Sequence, residues 1–342
     1  RLPYLDNMVN LIVAEDHSSV SLEEIFRVLA PYGVLLSKKE IMIQGSRPDD
    51  GWHRAVKPWP DTIDEWTHWM HAPDNNAVSQ DAYKNIPRGL QWIQPPRWWK
   101  SHELAPPFSA MVTAKGRLFY IADESSPGIA DLPDRWRLIA RDAFNGTLLW
   151  KKSIKQWGGE FWKETYIQGG SARLMDPNQV LRRLVAVDDK VYVTLGYRAP
   201  VSQLDAATGR VLQTYAGTDR AAEILYRQGV LVLTVLRDER AVVMAVDARS
   251  GRQLWTSEKD YVGTTTDYYR FRAMHGSVTP AKVDPTLNTA TDGRVIALLD
   301  GEDVVGIDFR SGRQQWRTTF PLVQADYRAG NIDAGHTLWT GT

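Results

Sequence analysis

The sequence contains no cysteine and no excess of charge of either sign. Without cysteine, disulfides, thiolate catalysis and cysteine-ligated zinc or haem are excluded within these 342 residues. The absence of cysteine does not identify the cellular compartment, because a secreted protein of this size can fold without disulfides. Lys+Arg and Asp+Glu both total 41, which argues against nucleic acid or an anionic membrane surface as the main partner. No apolar run is long enough for a transmembrane helix.

Residues 1–45 have the pattern of a parallel α/β unit. The run Asn10–Ala14 has the length and apolar character of a buried strand. Ser21 with Glu24 three positions later is a capping box that opens a helix. We expect Pro31-Tyr32-Gly33 to end this helix and a second strand to follow, as in a strand–helix–strand unit.

Residues 46–103 are rich in Pro, Trp, His, Asp and Asn and show little periodicity. Half of the 14 Trp residues of the chain fall here. A polar segment with so many Trp is predicted to pack as an irregular wrap against a neighbouring domain. The predicted domains are therefore residues 1–45, 46–103 and 104–342. Because the chain starts with Arg1 and stops within a predicted strand, we expect a fragment or processed piece of a longer protein.

From residue 104 onwards the sequence is typical of an all-β fold. Short β-branched runs alternate with turn signals. Four such runs are Leu118–Ile121, Val191–Thr194, Val230–Leu233 and Val295–Leu298.

Four internal repeats decide the predicted architecture. In each copy Asp precedes Gly by four residues, and Gly precedes Trp, or Gln in the second copy, by four. The copies are Asp142, Gly146 and Trp150; Asp205, Gly209 and Gln213; Asp247, Gly251 and Trp255; and Asp308, Gly312 and Trp316. Asp bonds its own turn, Gly supplies positive φ, and the Trp plate wedges between adjacent sheets. The shortest interval, Asp205 to Asp247, fits one four-stranded blade, and the longer intervals imply inserted loops.

This Asp-x-x-x-Gly-x-x-x-Trp pattern resembles the tryptophan-docking repeat of the pyrroloquinoline-quinone (PQQ) dehydrogenase-like propellers. That superfamily includes quinoprotein alcohol dehydrogenases and a non-enzymatic outer-membrane assembly lipoprotein. Residues 5–16 and 24–35 also resemble the later part of a class I SAM-dependent methyltransferase. With Trp66–His71 and Ala140–Gly146, the whole chain is similar to large planctomycete-type proteins that fuse such a segment to a PQQ-repeat propeller.

The expected fold is mainly β. It is a partial PQQ-repeat β-propeller of about four blades plus the start of another, preceded by half of a Rossmann-like methyltransferase domain. The family's propellers typically have seven or eight blades, so the ring is not expected to close within these residues. We expect the missing blades in the rest of the chain or in another chain, because an open arc exposes two sheet edges.

Two activities follow from the resemblance. SAM binding needs the glycine-rich turn after the first strand of that fold, and this turn is absent here. Residues 1–45 are therefore expected to be a structural remnant, with methyltransferase activity open for the full-length protein. PQQ-dependent oxidation needs calcium near the quinone, and no calcium-binding set is mapped by a motif. The repeat docks blades and binds no quinone, so no cofactor is predicted, with PQQ and calcium as the alternative.

A His-rich segment is the candidate metal site. His68 and His71 are three apart and share one side of a helix, should the stretch be helical. Asp64 and Asp74 lie nearby, and His102 follows. His and carboxylate side chains suit a divalent metal. The alternative is that the histidines pack and hydrogen-bond against the propeller.

The channel mouth is the candidate ligand site for a small molecule or glycan. His275, Tyr269 and Arg272 lie on the insertion Tyr261–Asn288 and suit proton abstraction in a carbohydrate-active enzyme, or packing of Arg on Tyr. Asp123-Glu124 is either an acidic pair at the top of a blade or a solvated turn. The leading expectation is a non-catalytic binding or scaffold module. A periplasmic or secreted setting is expected from the propeller, and a cytoplasmic one from the methyltransferase-like segment.

Overall fold

The computed structural model describes residues 1–82, 86, 89–95, 99, 108–126, 133–157, 178–238, 240–263 and 286–319. Within these residues, twenty strands form five four-stranded sheets, and there are two short helices. The fold is therefore mainly β, as predicted.

The first sheet is a mixed one at the N-terminus. Its elements are β1 (Val9–Ala14), α1 (Leu22–Val28), β2 (Leu29–Ser37), β3 (Arg47–Asp49) and β4 (Trp52–Val56). The strand order is β1-β2-β4-β3. β1 and β2 pair in parallel around α1, which confirms the strand–helix–strand prediction, and the other pairs are antiparallel. Because β4 pairs with β2, the sheet continues past residue 45, where the sequence placed a boundary.

The start of α1 matches the predicted cap, but its end does not. The Ser21 hydroxyl accepts a hydrogen bond from the Glu24 amide at 3.3 Å. The helix ends at Val28, ahead of the predicted stop, because the residue before a proline avoids the helical conformation. Pro31-Tyr32-Gly33 instead lies inside β2, where the pairing with β1 shifts register.

The other four sheets are antiparallel meanders that follow one another along the chain, as blades of a partial propeller. Blade 1 contains β5 (Phe108–Ala114), β6 (Arg117–Asp123), β7 (Trp136–Asp142) and β8 (Leu148–Ser153). Blade 2, after α2 (Asn178–Leu181), contains β9 (Leu184–Val187), β10 (Lys190–Thr194), β11 (Val201–Asp205) and β12 (Val211–Thr214). Blade 3 contains β13 (Ala221–Arg227), β14 (Val230–Arg237), β15 (Arg240–Asp247) and β16 (Gln253–Thr256). Blade 4 contains β17 (Ala290–Thr291), β18 (Val295–Asp300), β19 (Asp303–Asp308) and β20 (Gln314–Thr319).

The apolar core lies between consecutive blades. Val112, Phe119 and Leu138 of blade 1 are buried against Leu184 and Val191 of blade 2. Similar clusters join blade 2 to blade 3 and blade 3 to blade 4. The apolar side chains that alternate along each strand thus pack against the sheet of the neighbouring blade, as in other packed sheets.

The predicted Asp-x-x-x-Gly turns connect the third and fourth strands of each blade. In blade 2, Asp205 Oδ1 accepts from the Thr208 amide at 2.9 Å and from its hydroxyl at 2.7 Å. Gly209 has φ +70°, and its amide donates to the Asp205 carbonyl at 2.8 Å. Only glycine adopts this conformation freely, so the turn chemistry of the repeat is confirmed.

Two Trp residues of the repeat, Trp150 and Trp255, each join their blade to the next. Trp150 on β8 donates from Nε1 to the carbonyl of Ala206 at 2.9 Å. Trp255 on β16 donates to the carbonyl of Phe309 at 3.1 Å. Each indole also covers the next turn's glycine, and a Cβ on Gly209 would lie only 2.6 Å from Trp150. We call this pair of contacts a dock.

The second repeat has Gln213 in the Trp position, and two residues share the dock. The Gln213 amide, in the orientation that satisfies both its atoms, accepts from the Gly251 N–H at 3.1 Å and donates to the Arg249 carbonyl at 3.3 Å. The hydroxyl of Tyr215 donates to the carbonyl of Ala248 at 2.7 Å. Tyr215 thus provides the hydrogen bond that an indole provides elsewhere.

Candidate functional site

The two ends of the propeller differ in what they carry. At one end, called the turn end, the innermost strands finish and the Asp-x-x-x-Gly turns lie. At the other, called the connection end, the innermost strands begin. Two long connections arrive there, from Ser153 to Leu184 and from Thr256 to Ala290. The connection between blades 2 and 3 is short.

Residues 66–75, called the cross-blade segment, hydrogen-bond to the inner strand or its flank in all four blades at the turn end. The bonds are Thr113 N to Trp66 O (2.7 Å), Ala186 N to Thr67 O (3.0 Å), Tyr226 N to His68 Nε2 (3.0 Å), Thr291 N to Pro73 O (2.8 Å) and Asn75 Nδ2 to Thr289 O (2.7 Å). An innermost strand has one edge without a neighbouring strand, and the segment supplies partners there. Residues 66–75 therefore lie against the inner strands of all four blades.

His68 is a buried, neutral member of this segment. Its Nε2 accepts from the Tyr226 amide, so the proton must reside on Nδ1, which lies 2.7 Å from the Thr67 hydroxyl. Burial, with smaller effects of His71 and Arg227, lowers the pKa of His68 to about 3. Both ring nitrogens are engaged, which leaves none to bind a metal.

His71 faces a carboxylate rather than His68. Its Nε2 lies 2.6 Å from Asp64 Oδ2. Burial acts to raise the pKa of Asp64, but hydrogen bonds from the Gln80 amide, from His71 and from the Glu65 amide outweigh it and leave the pKa below its usual value. His68 and His71 form a tight antiparallel bridge, with His71 at φ +73°, so the helical spacing considered from the sequence is wrong.

The metal hypothesis gains no support from the described part of the chain. Within it, no group of three or more His, Cys, Asp or Glu side chains converges. Asp74 caps a local turn by accepting from the Asn76 amide at 3.1 Å. His102 lies outside the described residues, as do Tyr269, Arg272 and His275.

Asp123 and Glu124 lie together at the connection end of blade 1 but do different things. Asp123 is buried and accepts from the amides of Ser125 (2.9 Å) and Arg135 (2.7 Å) and from the Ser125 hydroxyl (2.6 Å). It therefore holds the loop between β6 and β7. Glu124 forms an ion pair with Lys151.

Both residues line the polar one of two adjoining cavities on blade 1. This cavity, of about 650 Å³, is also lined by Ser126, Arg135, Arg141 and Lys151. The adjoining aromatic cleft, of about 380 Å³, lies on the face of blade 1 opposite blade 2 and is lined by Trp92, Trp99, Phe108, Met111, Leu118 and Tyr120. Gln94, Pro95 and Arg141 line both.

Arg141 separates the two cavities and was not a sequence candidate. It donates to the Tyr120 hydroxyl (2.9 Å) and to the carbonyls of Gly146 (2.9 Å) and Pro95 (3.1 Å). Its buried guanidinium thus ties Pro95 to blade 1. The only sign of Arg141 in the sequence is that a charged residue lies within a predicted strand of the repeat.

Glu223 is a second buried group that sequence reasoning missed. Its carboxylate accepts from the hydroxyls of Thr234 (2.8 Å) and Thr289 (2.7 Å) and from the amides of Asn288 (2.9 Å) and Thr289 (3.1 Å). Arg182 Nε lies 3.7 Å from it. Glu223 therefore ties blade 3 to the residues that lead into blades 2 and 4.

Glu223 is a buried acid among the inner strands, and protein donors already use both its oxygens. A hard cation such as Ca²⁺ takes six to eight oxygen ligands, and no group of three or more His, Asp or Glu side chains converges among the described residues. No step is therefore assigned to PQQ or calcium.

The sequence profile of the family described as "Outer membrane protein assembly factor BamB" matches residues 140–335. The chain belongs to this family. The match begins within β7 of blade 1 and includes every described residue that follows. No curated protein sequence matches the chain.

Several solved propellers are similar to the chain at low identity. The quinohemoprotein alcohol dehydrogenase from Comamonas testosteroni is 14% identical, with TM-score 0.44, over 75% of this chain and 41% of that one. Quinohemoprotein alcohol dehydrogenase ADHIIG from Pseudomonas putida HK5 is 14% identical, with TM-score 0.43, over 75% and 40%. BamB from Moraxella catarrhalis is 16% identical, with TM-score 0.30, over 62% and 61%. The chain thus spans about 40% of the length of the two dehydrogenases. None of the helices in the described residues is long and apolar enough to cross a membrane.

Proposed function

We propose that this member of the BamB family is a non-catalytic binding or scaffold module whose partner binds at the connection end of the propeller. The proposal rests on what the polar candidate residues do in the part of the chain that the structure describes. His68 and His71 hold the cross-blade segment at the turn end, and Asp123 holds a loop of blade 1. Family membership adds support, because the family is named after an assembly factor.

The connection end is the favoured binding face for a topological reason. The cross-blade segment occupies the inner strands at the turn end, and the N-terminal sheet packs there as well, where Asn10 donates to Asp142 at 2.6 Å. At the connection end lie the polar cavity and the strand ends from which both long connections start. Binding residues concentrate on loops that a rigid scaffold positions.

The first test measures bound cofactor in the purified full-length protein. Absorbance and mass spectrometry detect quinone, and elemental analysis detects calcium and zinc. We expect less than one-tenth equivalent of each. A stoichiometric quinone with calcium would overturn the scaffold proposal in favour of an oxidoreductase. Stoichiometric zinc would favour an enzyme that acts at the channel mouth, with a small molecule or glycan as substrate.

The second test maps the partner by lysine cross-linking in intact cells. Lys155 and Lys259 lie at the connection end, and Lys190 begins β10 at the turn end. We expect cross-links to other proteins from Lys155 and Lys259, and few from Lys190. Cross-links from Lys190 alone would show that the binding face is wrong.

We further propose a periplasmic or secreted location, and a cytoplasmic pool of cross-linked partners would contradict it.

A second proposal concerns the N-terminal sheet of the full-length protein. The parallel pair β1 and β2 with its crossover helix supports a methyltransferase-like domain, and Leu11 and Val13 on the edge strand are more than half exposed. Parallel strands are normally covered on both faces. Titration calorimetry of the full-length protein with SAM tests this proposal. Binding would support it, and no heat at millimolar SAM would reject it.

A further inference from the structure

The turn of blade 1 differs from the other three turns of the repeat at the two positions before its glycine. It has Phe144 and Asn145 there. The turns of blades 2, 3 and 4 have Ala207 and Thr208, Arg249 and Ser250, and Arg310 and Ser311. These six residues are exposed, whereas Phe144 and Asn145 are partly covered. Of the four turns, only that of blade 1 thus has both positions packed against another part of the chain.

The hydroxyl side chains of the other turns bond to the Asp of their own turn. Ser250 Oγ donates to Asp247 Oδ1 at 2.6 Å, and the hydroxyls of Thr208 and Ser311 do the same in their turns. A hydroxyl has one hydrogen to donate. These turns therefore have no side-chain donor left at this position for another part of the chain.

Asn145 directs its donors away from its turn. Its Oδ1 still accepts from the Thr147 amide at 3.0 Å and so supports the turn. Its Nδ2 carries two hydrogens and donates to the Met8 carbonyl at 3.1 Å and to Oδ1 of Asn10. Asn10 in turn donates from Nδ2 to Asp142 Oδ2 at 2.6 Å. Two amide side chains and a carboxylate thus connect the start of β1 to the turn.

Phe144 makes the apolar part of the same contact. Its ring lies edge-on to Trp59, with ring centroids 5.9 Å apart, and Trp59 stacks on Tyr32 of β2 at 5.5 Å. The Phe144 carbonyl accepts from Gln91 Nε2 at 2.8 Å, and the same nitrogen donates to the Asp6 carbonyl at 3.1 Å. Both positions that distinguish this turn therefore contact the N-terminal sheet or its flanking residues.

We propose that the turn of blade 1 is a specific binding site for the N-terminal sheet, and that Phe144 and Asn145 select this turn from the four. The site binds an aromatic ring next to a strand start that offers a main-chain carbonyl and an amide side chain. A turn with Arg and Ser at these positions has a charge where the ring must pack, and it lacks the second donor. The sheet is thus held in one orientation on the propeller.

This orientation leaves one edge of the parallel pair away from the propeller. Asn10 lies near the amino end of β1, whereas Ala14 and Ser37 end β1 and β2 at the opposite edge. At about 3.3 Å per residue, that carboxyl edge lies about 13 Å beyond Asn10. Glu15 and Lys38, just past it, are exposed. The propeller therefore leaves open the edge at which parallel α/β sheets bind ligands.

Distances between two spin labels test the proposal in the full-length polypeptide, with any native cysteines replaced. One label is attached at Met42→Cys, 84% exposed after β2, and the other at Val211→Cys on β12, 39% exposed. We expect one narrow distance distribution in this reference protein. Phe144→Arg with Asn145→Ser gives blade 1 the residues of blades 3 and 4, and it should broaden the distribution at least twofold. A distribution as narrow as that of the reference would overturn the proposal.

The matched control makes the reverse exchange in blade 3. Arg249→Phe with Ser250→Asn places the same two side chains on an exposed turn that the N-terminal sheet does not contact. We expect the distance distribution to stay as narrow as in the reference. Broadening equal to that of the blade 1 exchange would show that any altered turn loosens the protein, and the claim of a specific site would be wrong.

Asn10→Ala tests the contact from the other side, with all four turns intact. We expect it to broaden the distribution as well. It should add little further broadening to the exchanged blade 1 turn, because both changes break the same bonds. A narrow distribution in Asn10→Ala beside a broad one in the exchanged turn would show that the exchange acts by distorting blade 1, which would overturn the proposal.

Discussion

The hydroxyl of Tyr215 donates a hydrogen bond of 2.7 Å to the backbone carbonyl of Ala248, the position that an indole N–H serves in the neighbouring blades. Tyr215 is almost fully buried, and burial raises the pKa of its hydroxyl. The hydroxyl therefore stays protonated and acts as a donor at all physiological pH values. It completes the dock in which Gln213 replaces Trp.

Tyr215→Phe should destabilise the propeller. The change removes the donor and leaves a buried carbonyl without this partner, which costs about 1–3 kcal/mol. Denaturant unfolding of both proteins measures the difference. Tyr32→Phe, at an exposed tyrosine that stacks on Trp59, is the control and should change stability by less than about 0.5 kcal/mol. Equal stability of Tyr215→Phe and the wild type would show that Gln213 alone makes the dock.

Gly209→Ala should cost more than Gly217→Ala. Both glycines have nearly the same φ, +70° and +73°, so both changes include the left-handed penalty of about 1–2 kcal/mol. Only at Gly209 would the new Cβ meet the Trp150 indole, and nothing lies within 4 Å of a Cβ at Gly217. The overpacked site should add a further 1–3 kcal/mol, on the order seen for strained cores. Equal losses in chemical denaturation would mean that the indole moves freely.

His68 should make the protein less stable as the pH falls. Its pKa is about 3 in the folded state, below the ordinary histidine value of 6.5, so the unfolded chain binds the proton more tightly. The stabilisation is complete above pH 6.5 and is lost progressively as the pH falls towards 3. From pH 6.5 to 5 the wild type should lose about 2 kcal/mol more than His68→Gln, at about 1.4 kcal/mol per pH unit. Parallel pH profiles for the two proteins would show that His68 binds its proton equally well in the folded and unfolded states.

Glu223→Gln should be far more costly than Glu124→Gln. The first change leaves Arg182, whose pKa burial lowers, without its anionic partner. Breaking such a buried pair costs about 3–5 kcal/mol. Glu124 and Lys151 are partly exposed, and pairs of that kind contribute about 0–1 kcal/mol. Thermal unfolding of the two variants gives the comparison, and similar losses would show that the Thr and amide donors alone satisfy residue 223.

Features that depend on local chain geometry followed from the sequence. Each Asp-x-x-x-Gly turn closes through bonds between residues no more than five apart, so the four turns and their flanking strands were correct. The same holds for the Ser21 cap. Likewise, Asp123 lies at a strand end, as the pattern indicated, although its role in holding the loop depends on Arg135 twelve positions later.

Features that depend on partners far away in the sequence could not be predicted from it. The spacing of His68 and His71 suggested one face of a helix, but His68 bonds to an amide 158 positions later, which no local pattern encodes. Trp92 docks onto a turn 51 positions later without the repeat around it. The candidates His102, Tyr269, Arg272 and His275 lie outside the described residues and remain predictions. The expectation of no cofactor, with PQQ and calcium as the alternative, also stays a prediction.

The cross-blade segment changes how such a protein folds. A propeller resembles a linear array in which each repeat contacts only its neighbours, and such arrays can melt one unit at a time. Here Asn75 bonds to Thr289, 214 positions away, and intermediate blades are tied to the same ten residues. The segment therefore links all four blades to one another. We therefore expect the four blades to unfold together rather than one at a time, because the loss of one blade would also break contacts of the segment that all four share.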